Sequence, residues 1–356
     1  MKGLRLYLAP FAPDDSGAAA VLYPLGGLVV ICDAGGCAGN ICGFDEPRWG
    51  LGSHNSAVFS AGLRDMDAIM GRDDKLLEKM AKACADITVP FAAIIGTPVP
   101  AVIGTDYHAL ARLGQKRLGM PVITIPTTGT HLYDTGISMA YLALLKTFAV
   151  THHKENTARI LGVWGVTPLD LPELTGTALR QALAAEPYDI IRLYGIDADL
   201  NAYRQAGDNT LNLVYSPAGL AAAQWLQAKY DTPYQCRCPL TTDMSDRLQQ
   251  VPATAQKLLI IHQQYQANAC RAVLQKQMPQ AQITCATWFM QEPAQAQPQD
   301  LHFQEEDDFI TAIQTQHFDV ILGDSAFRRA LPKDIQVEFI AMPHFAVSGE
   351  QPPASN

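Results

Sequence analysis

Three cysteines spaced at C-x4-C-x4-C are the residues of this sequence best suited to chemistry. They are Cys32, Cys37 and Cys42, and four glycines lie within the same segment and directly after it. Thiolates hold iron–sulfur clusters, and glycines let the backbone approach a bulky ligand. The spacing matches no standard zinc or ferredoxin pattern, and three thiols are one fewer than a four-thiolate site needs. The fourth ligand could come from Asp33, Asp45, a distant cysteine or another subunit.

Cys32 also has a second interpretation. It follows four apolar residues, Leu28 to Ile31. A free cysteine at the end of a buried strand packs as a small hydrophobic residue. The residue types alone leave open whether Cys32 is a ligand or part of the core.

Charged and polar residues elsewhere are further candidates. Asp45, Glu46 and Arg48 form a compact charged group next to the cysteines. They could donate protons or dock a partner, or they could be an internal ion pair at a domain edge, which is the interpretation we favour. His131 follows a predicted strand, and His344 is similarly placed. Since ligands bind beyond the carboxyl ends of parallel strands, both histidines are candidates for a substrate cleft.

The composition limits the classes of protein this can be. Of 356 residues, 48% are hydrophobic and 17% are charged, and the net charge is −9. That balance excludes intrinsic disorder and argues against nucleic acid or an anionic membrane as partners. Eight cysteines are too few for a disulfide scaffold in so long a chain. The first eight residues lack the apolar core of a signal peptide, so a cytoplasmic location is expected.

Short apolar runs alternate with amphipathic stretches along the chain. Strands are predicted at 28–32, 92–95, 122–125, 159–166, 188–193, 211–215, 258–262, 282–288, 318–322 and 337–341. Helices are predicted at 73–85, 137–150, 174–184, 217–229, 267–276 and 307–314. The uncharged run 87–105 is interrupted by prolines and glycines, which predicts strand, turn and strand and not a membrane helix.

This alternation predicts an α/β protein with three doubly wound, Rossmann-like parallel-sheet domains. The expected domains are 1–152, 153–255 and 256–356. The first carries the cysteines, and the third includes the C-terminal segment.

Five segments in a fixed order carry a resemblance to a known family. They are Val29 to Cys37 (strand, glycine loop and Gly-Cys), 59–71, 101–106, 213–233 and 343–349. In this order and spacing they resemble the nitrogenase component 1 family. That family includes the molybdenum-iron protein subunits, their cofactor-assembly scaffolds, the catalytic subunits of dark-operative protochlorophyllide reductase and the nickel-sirohydrochlorin reductive cyclase.

The resemblance implies a [4Fe–4S] cluster at the interface with an identical or paralogous subunit. It also implies an ATP-dependent iron protein as electron donor and a substrate in the cleft between the domains. Of the family's three cluster cysteines only Cys37 has a direct match, because the other two positions fall near Pro13 and at Pro98. Cys32 and Cys42 are then the expected substitutes.

The thiolate position that holds nitrogenase's active-site cofactor falls at Ser216. A cofactor of that type is therefore not expected, and Ser216 joins His131 and His344 as a substrate-cleft candidate. The leading hypothesis is a nitrogenase-like reductase component. The alternatives are a scaffold or carrier for metallocofactor assembly, and a metal-free protein that binds a small molecule on the same fold.

Overall fold

A computed structural model describes residues 5–49, 56–64, 71, 73–150, 158–171 and 175–342. His344 and the segment 343–349 lie outside these described residues. The described part contains three sheets, and every strand pair in them is parallel.

The first sheet has the strand order β2-β1-β3-β4. Its strands are β1 (Leu28–Ile31), β2 (Ala57–Ser60), β3 (Ala92–Ile95) and β4 (Val122–Ile125). The helices of this unit are α1 (Asp14–Leu22), α2 (Gly36–Asn40), α3 (Asp73–Asp86), α4 (Pro98–Val102), α5 (Tyr107–Leu118) and α6 (Tyr133–Phe148). All residues of β1 and β3 are buried, as expected for central strands that are covered on both faces.

The second sheet has the order β6-β5-β7-β8. Its strands are β5 (Ile160–Trp164), β6 (Ile190–Leu193), β7 (Leu211–Val214) and β8 (Tyr234–Cys236), and its helices are α7 (Thr177–Leu183), α8 (Leu200–Arg204) and α9 (Leu220–Tyr230). The next helix, α10 (Thr242–Gln249), packs on the third sheet through Met244 and Leu248. A stacked aromatic pair, Trp164 and Tyr194, lies at its core with ring centroids 3.7 Å apart.

The third sheet has the order β11-β10-β9-β12-β13. Its strands are β9 (Lys257–Ile261), β10 (Gln282–Thr287), β11 (Leu301–His302), β12 (Val320–Gly323) and β13 (Glu338–Ala341), and its helices are α11 (Gln264–Gln277) and α12 (Glu306–Gln316). Each sheet comes from one continuous part of the chain. We propose the boundaries of the three domains after residues 152 and 255, the first of which lies outside the described residues.

The local predictions left out strands β2, β8 and β11 and helices α2, α5, α8 and α10. Two further differences from the structure have a clear physical reason. Helix α1 was not predicted, because all nine of its residues are buried and the sequence therefore shows no amphipathic period. The segment after β3 forms the short helix α4 and not a second strand. Pro98 stands at its first turn, where a missing N–H costs nothing. Among the described residues, none of the helices combines the length and apolar character needed to cross a bilayer.

Helices α1 and α6 touch backbone to backbone on one face of the first sheet. A Cβ built on Gly17 would lie 1.9 Å from the carbonyl oxygen of Tyr133, and one on Gly136 would lie 1.7 Å from that of Asp14. Helix α6 also reaches the second unit, because the hydroxyl of Tyr141 donates to the carbonyl of Tyr194 over 2.6 Å. The bond from Tyr141 therefore joins the first unit to the second.

Candidate functional site

Each sheet has a point where the strand order reverses, and a parallel sheet has a crevice beyond its carboxyl ends at such a point. In the first sheet the reversal lies between β1 and β3, in the second between β5 and β7, and in the third between β9 and β12. Ligands of open parallel sheets bind at such points. The cysteine loop lies at the reversal point of the first sheet, since it begins where β1 ends.

Cys32 and Cys37 pack on opposite faces of the first sheet. Side chains alternate along β1, so Val30 and Cys32 belong to the core under α3 and α5, whereas Ile31 belongs to the core with α1 and α6. Cys37 packs at the edge of the core that contains α1 and α6. Burial, with Asp33 and Asp73 contributing, raises the pKa of the Cys32 thiol to about 12. The structure therefore does not bring Cys32 together with the other two cysteines, and it supports the core interpretation of this residue.

Cys37 and Cys42 are the accessible thiols of the loop. Cys37 lies on the short helix α2 and Cys42 in the single π-helical turn that follows it, Ile41–Asp45, and both are half-buried. Burial, with the carboxylates of Asp15 and Asp33 contributing, raises the pKa of Cys37 to about 11. Burial also raises the pKa of Cys42. Both groups are therefore neutral thiols in the metal-free chain.

Carboxylates hold the loop in this shape. Asp33 accepts the N–H of Ala38 over 2.8 Å and the hydroxyl of Ser60 over 2.6 Å. Asp45 accepts the hydroxyl of Ser16 over 2.6 Å, which fastens the end of the loop to α1. These bonds fix the positions of both thiols without using a metal.

The outer surface of the loop is open and uncharged. Gly35 has φ of 119°, a conformation that favours glycine, and a Cβ added to it would meet nothing within 4 Å. The same open space surrounds Gly36, Gly39 and Gly43, and the side chain of Phe44 is 52% exposed. A ring of small and apolar residues thus surrounds the two thiols and leaves room for a large group or another subunit.

The donor set fits a cluster shared between subunits better than a metal ion bound by one chain. Among the residues that the structure describes, no three His, Cys, Asp or Glu side chains are grouped so as to hold one metal ion. The two accessible thiols of the loop would supply four across a two-fold axis, which is the number a [4Fe–4S] cluster uses. Binding would displace the thiol protons.

The charged group next to the cysteines is an internal ion pair. Arg48 is 8% exposed, and its guanidinium donates to both oxygens of Glu46 over 2.7 and 2.8 Å. It also donates to the carbonyls of Ala20 in α1 and of Gly195 and Ile196 in the second unit. Arg48 therefore joins the loop, the first unit and the second unit.

Replacing Arg48 by methionine should lower the free energy of unfolding by about 3–5 kcal/mol, because Glu46 would be left buried without its cation. Urea denaturation measures the change. Arg180→Met is the matched control, since Arg180 pairs with Asp197 at the surface and should cost under about 1 kcal/mol. Equal losses in the two variants would contradict the role given to Arg48.

The substrate-cleft candidates do not share one open surface. Ser216 is fully buried, and its hydroxyl donates to the carbonyl of Gly165, across the second crevice. His131 is exposed at the turn before α6, where its carbonyl accepts the N–H of Asp14. His344 lies outside the described residues. The second crevice is therefore closed by packing in this structure.

Sequence reasoning missed a group of buried carboxyls between α1, α6 and the second unit. Asp14 accepts the N–H groups of Thr128 and Gly129, and Asp170 accepts the hydroxyl of Tyr133 over 2.6 Å. Burial raises the pKa of three of these acids to about 6, namely Asp15, Asp134 and Asp170. Carboxyls with such pKa values can hold and release protons near neutral pH. The adjacent pair Asp14-Asp15 before an Ala-rich run was the available sequence signal.

The comparisons with known proteins agree with this architecture. The model of a family described as "Nitrogenase component 1 type Oxidoreductase" matches residues 16–251. The chain belongs to this family of oxidoreductases. Its resemblance, inferred above from five segments, is thereby confirmed.

Two solved structures, "Nitrogenase Cp1 at pH 5" and "Nitrogenase Cp1 at pH 6.5", are similar to it, each with a TM-score of 0.71. Identity is 13% and 12%, and the matches cover 97% of this chain and 85% and 86% of those chains. At that identity the likeness concerns the fold alone. It confirms the predicted class of three parallel-sheet α/β units.

Proposed function

We propose that the protein is a reductase component that holds a [4Fe–4S] cluster between two subunits. The observation that carries this proposal is the pair of half-buried thiols, Cys37 and Cys42, on an open and uncharged loop at the first crevice. Family membership supports an oxidoreductase role. Cys32 is not part of the proposed ligand set, because it lies on the other face of the sheet.

The partner in this proposal is a second copy of the chain or a paralogous subunit. A two-fold axis beside α2 would bring four thiols together and would cover Phe44 and the exposed glycines. Since the loop carries no charged exposed side chain between residues 34 and 44, its burial in an interface costs little desolvation. Asp15 lies beside Cys37, so the interface would also enclose a carboxyl.

When bound, the cluster would pass single electrons from an ATP-dependent iron protein to a substrate. In the reduction, the chain itself would supply protons in addition to holding the cluster in place. Asp170, which is hydrogen-bonded to Tyr133, and Asp134 have pKa values of about 6 and can be reprotonated near neutral pH. A reduction consumes such protons, and these carboxyls lie between the first and second units, on the side of the sheet where Cys37 packs.

One observation favours a second candidate, a scaffold that carries a cluster or cofactor to another protein. By the resemblance, Ser216 would stand at the position where nitrogenase holds its active-site cofactor, and its hydroxyl is bonded to the carbonyl of Gly165 across the second crevice. A scaffold needs an accessible cluster site but no substrate cavity.

Anaerobic purification with measurement of iron, sulfide, EPR spectrum and molar mass tests both candidates. The proposed function predicts a brown dimer with about four irons and a signal at low temperature after reduction. Transfer of that cluster to an apo-acceptor without turnover would favour the scaffold. A colourless protein after cluster reconstitution would contradict both and leave the metal-free binding protein.

A further inference from the structure

A pocket with aromatic walls lies at the crevice of the third sheet. It is lined by the last residue of β9, by residues that follow β9, β10 and β12, and by one residue of the N-terminal segment: Ile261, His262, Gln263, Trp288, Phe289, Phe327 and Phe11. The position is the reversal point between β9 and β12, where open parallel sheets bind ligands. Neither the cysteine loop nor the buried carboxyls described above line this pocket.

Trp288 gives the pocket a hydrogen-bond donor. Its side chain is among the large core residues, with 8% of the residue exposed. Its indole N–H is buried and meets no acceptor among the residues that the structure describes. A buried donor without an acceptor costs free energy, and a ligand that brings an acceptor would remove that cost.

Phe11 fills the pocket from the first unit. Its ring centroid lies 4.9 Å from that of Phe289 and 5.9 Å from that of Trp288, and the guanidinium of Arg5 covers it at 4.5 Å. The free volume that remains is about 20 Å³, enough for one water molecule. In the closed state, then, an aromatic side chain of the protein occupies the place of a ligand.

The N-terminal strap, residues 5–13, depends on one carboxylate. Glu306, at the start of α12, accepts the consecutive N–H groups of Leu6, Tyr7 and Leu8 over 2.8, 3.1 and 2.7 Å. The side chains of Leu6 and Tyr7 are 76% and 47% exposed and add little packing, whereas Leu8 is buried in the same core as Phe11. The backbone bonds to Glu306 therefore hold Leu6 and Tyr7 in place, and at Leu8 they act together with packing.

We propose that this pocket binds a flat aromatic molecule that carries a hydrogen-bond acceptor, and that the N-terminal strap is its lid. In this proposal the carboxylate of Glu306 holds the lid closed and the ring of Phe11 fills the pocket. The indole N–H of Trp288 donates to the ligand once Phe11 has left. The site goes beyond the proposed function, because binding there requires neither a cluster nor a second subunit. An aromatic wall on several sides favours a planar ring by stacking and edge contacts.

Quinoline, which has a ring nitrogen as acceptor, and naphthalene, which has none, are the probes. Their affinities are measured calorimetrically on the full chain. Glu306→Gln should raise the affinity for both about tenfold, because apparent affinity is the intrinsic affinity times the open fraction. Glu338→Gln, at an exposed carboxylate of the same unit, is the control and should leave both affinities unchanged. A folded Glu306→Gln protein that binds neither probe, or binds them as the wild type does, would overturn the proposal.

The variant Trp288→Phe tests the contribution of the indole N–H separately from that of the aromatic ring that lines the pocket. It keeps an aromatic ring, so naphthalene should bind as before, while quinoline should lose about fivefold in affinity. An equal loss for both probes would overturn the role of the indole N–H.

Hydrogen exchange on the wild-type chain tests the lid even if Glu306→Gln fails to fold. Quinoline at high concentration should accelerate exchange at the amides of Leu6, Tyr7 and Leu8, since binding would release them from Glu306. Unchanged exchange at these amides would overturn the lid. None of these measurements depends on iron, so their failure is distinct from failure of the proposed function.

Discussion

Replacing Cys37 by alanine should remove the iron from the anaerobically purified dimer, while Cys32→Ala should leave it in place. The expected change for Cys37→Ala is from about four irons per dimer to fewer than one. Cys37 is half-buried on the open loop, whereas Cys32 is 3% exposed and packs with Val30 under α3. Alanine is chosen because a serine oxygen could still bind iron.

Iron and sulfide analysis with EPR checks this difference, and each variant's folding is followed by circular dichroism. Cys32→Ala should cost about 1 kcal/mol of stability through a small cavity and nothing in iron content. Loss of iron in both variants would mean that Cys32 reaches the cluster after all, which would require β1 to be rearranged on binding. Retention in both would contradict the proposed ligand set.

The sequence could not separate these two cysteines. Strand β1 is buried on both faces, so Leu28 to Ile31 are all apolar and no alternation marks which face Cys32 belongs to. Only the packing of α3 on one face and α1 on the other assigns it. The spacing C-x4-C-x4-C therefore suggested a set of three thiols of which two are accessible.

The burial of the central strands on both faces made the architecture predictable, although it hid which face each cysteine belongs to. Short, predominantly apolar runs such as Ala92–Ile95 and Val122–Ile125 are strong signals for buried parallel strands, and both have the predicted bounds. Helix α1 shows no amphipathic period in its sequence because it is buried on all sides. The guanidinium of Arg48 donates to the carbonyls of Gly195 and Ile196, which are almost 150 residues away in sequence. Contacts at that distance in sequence depend on how the units pack, which local patterns do not encode.

Gly136→Ala should destabilise the protein by about 3 kcal/mol or more, because two helices meet there without side chains between them. A Cβ at this position would lie 1.7 Å from the carbonyl oxygen of Asp14 and 2.9 Å from the N–H nitrogen of Ala18. Both are backbone atoms and cannot rotate away, so α1 would have to shift as a whole, which places the cost at the upper end of overpacking effects.

Because α1 also carries Asp15, which lies beside Cys37, that shift should disturb the cysteine loop as well as stability. Urea denaturation measures the first effect and iron content the second. Gly39→Ala is the control for stability, since a Cβ on Gly39 meets nothing within 4 Å and alanine favours the helix, so the change should stay within about 1 kcal/mol. A Gly136→Ala protein as stable as the wild type would mean that α1 and α6 are not in backbone contact. The site would then rest on Asp33 and Arg48 rather than on the packing of these helices.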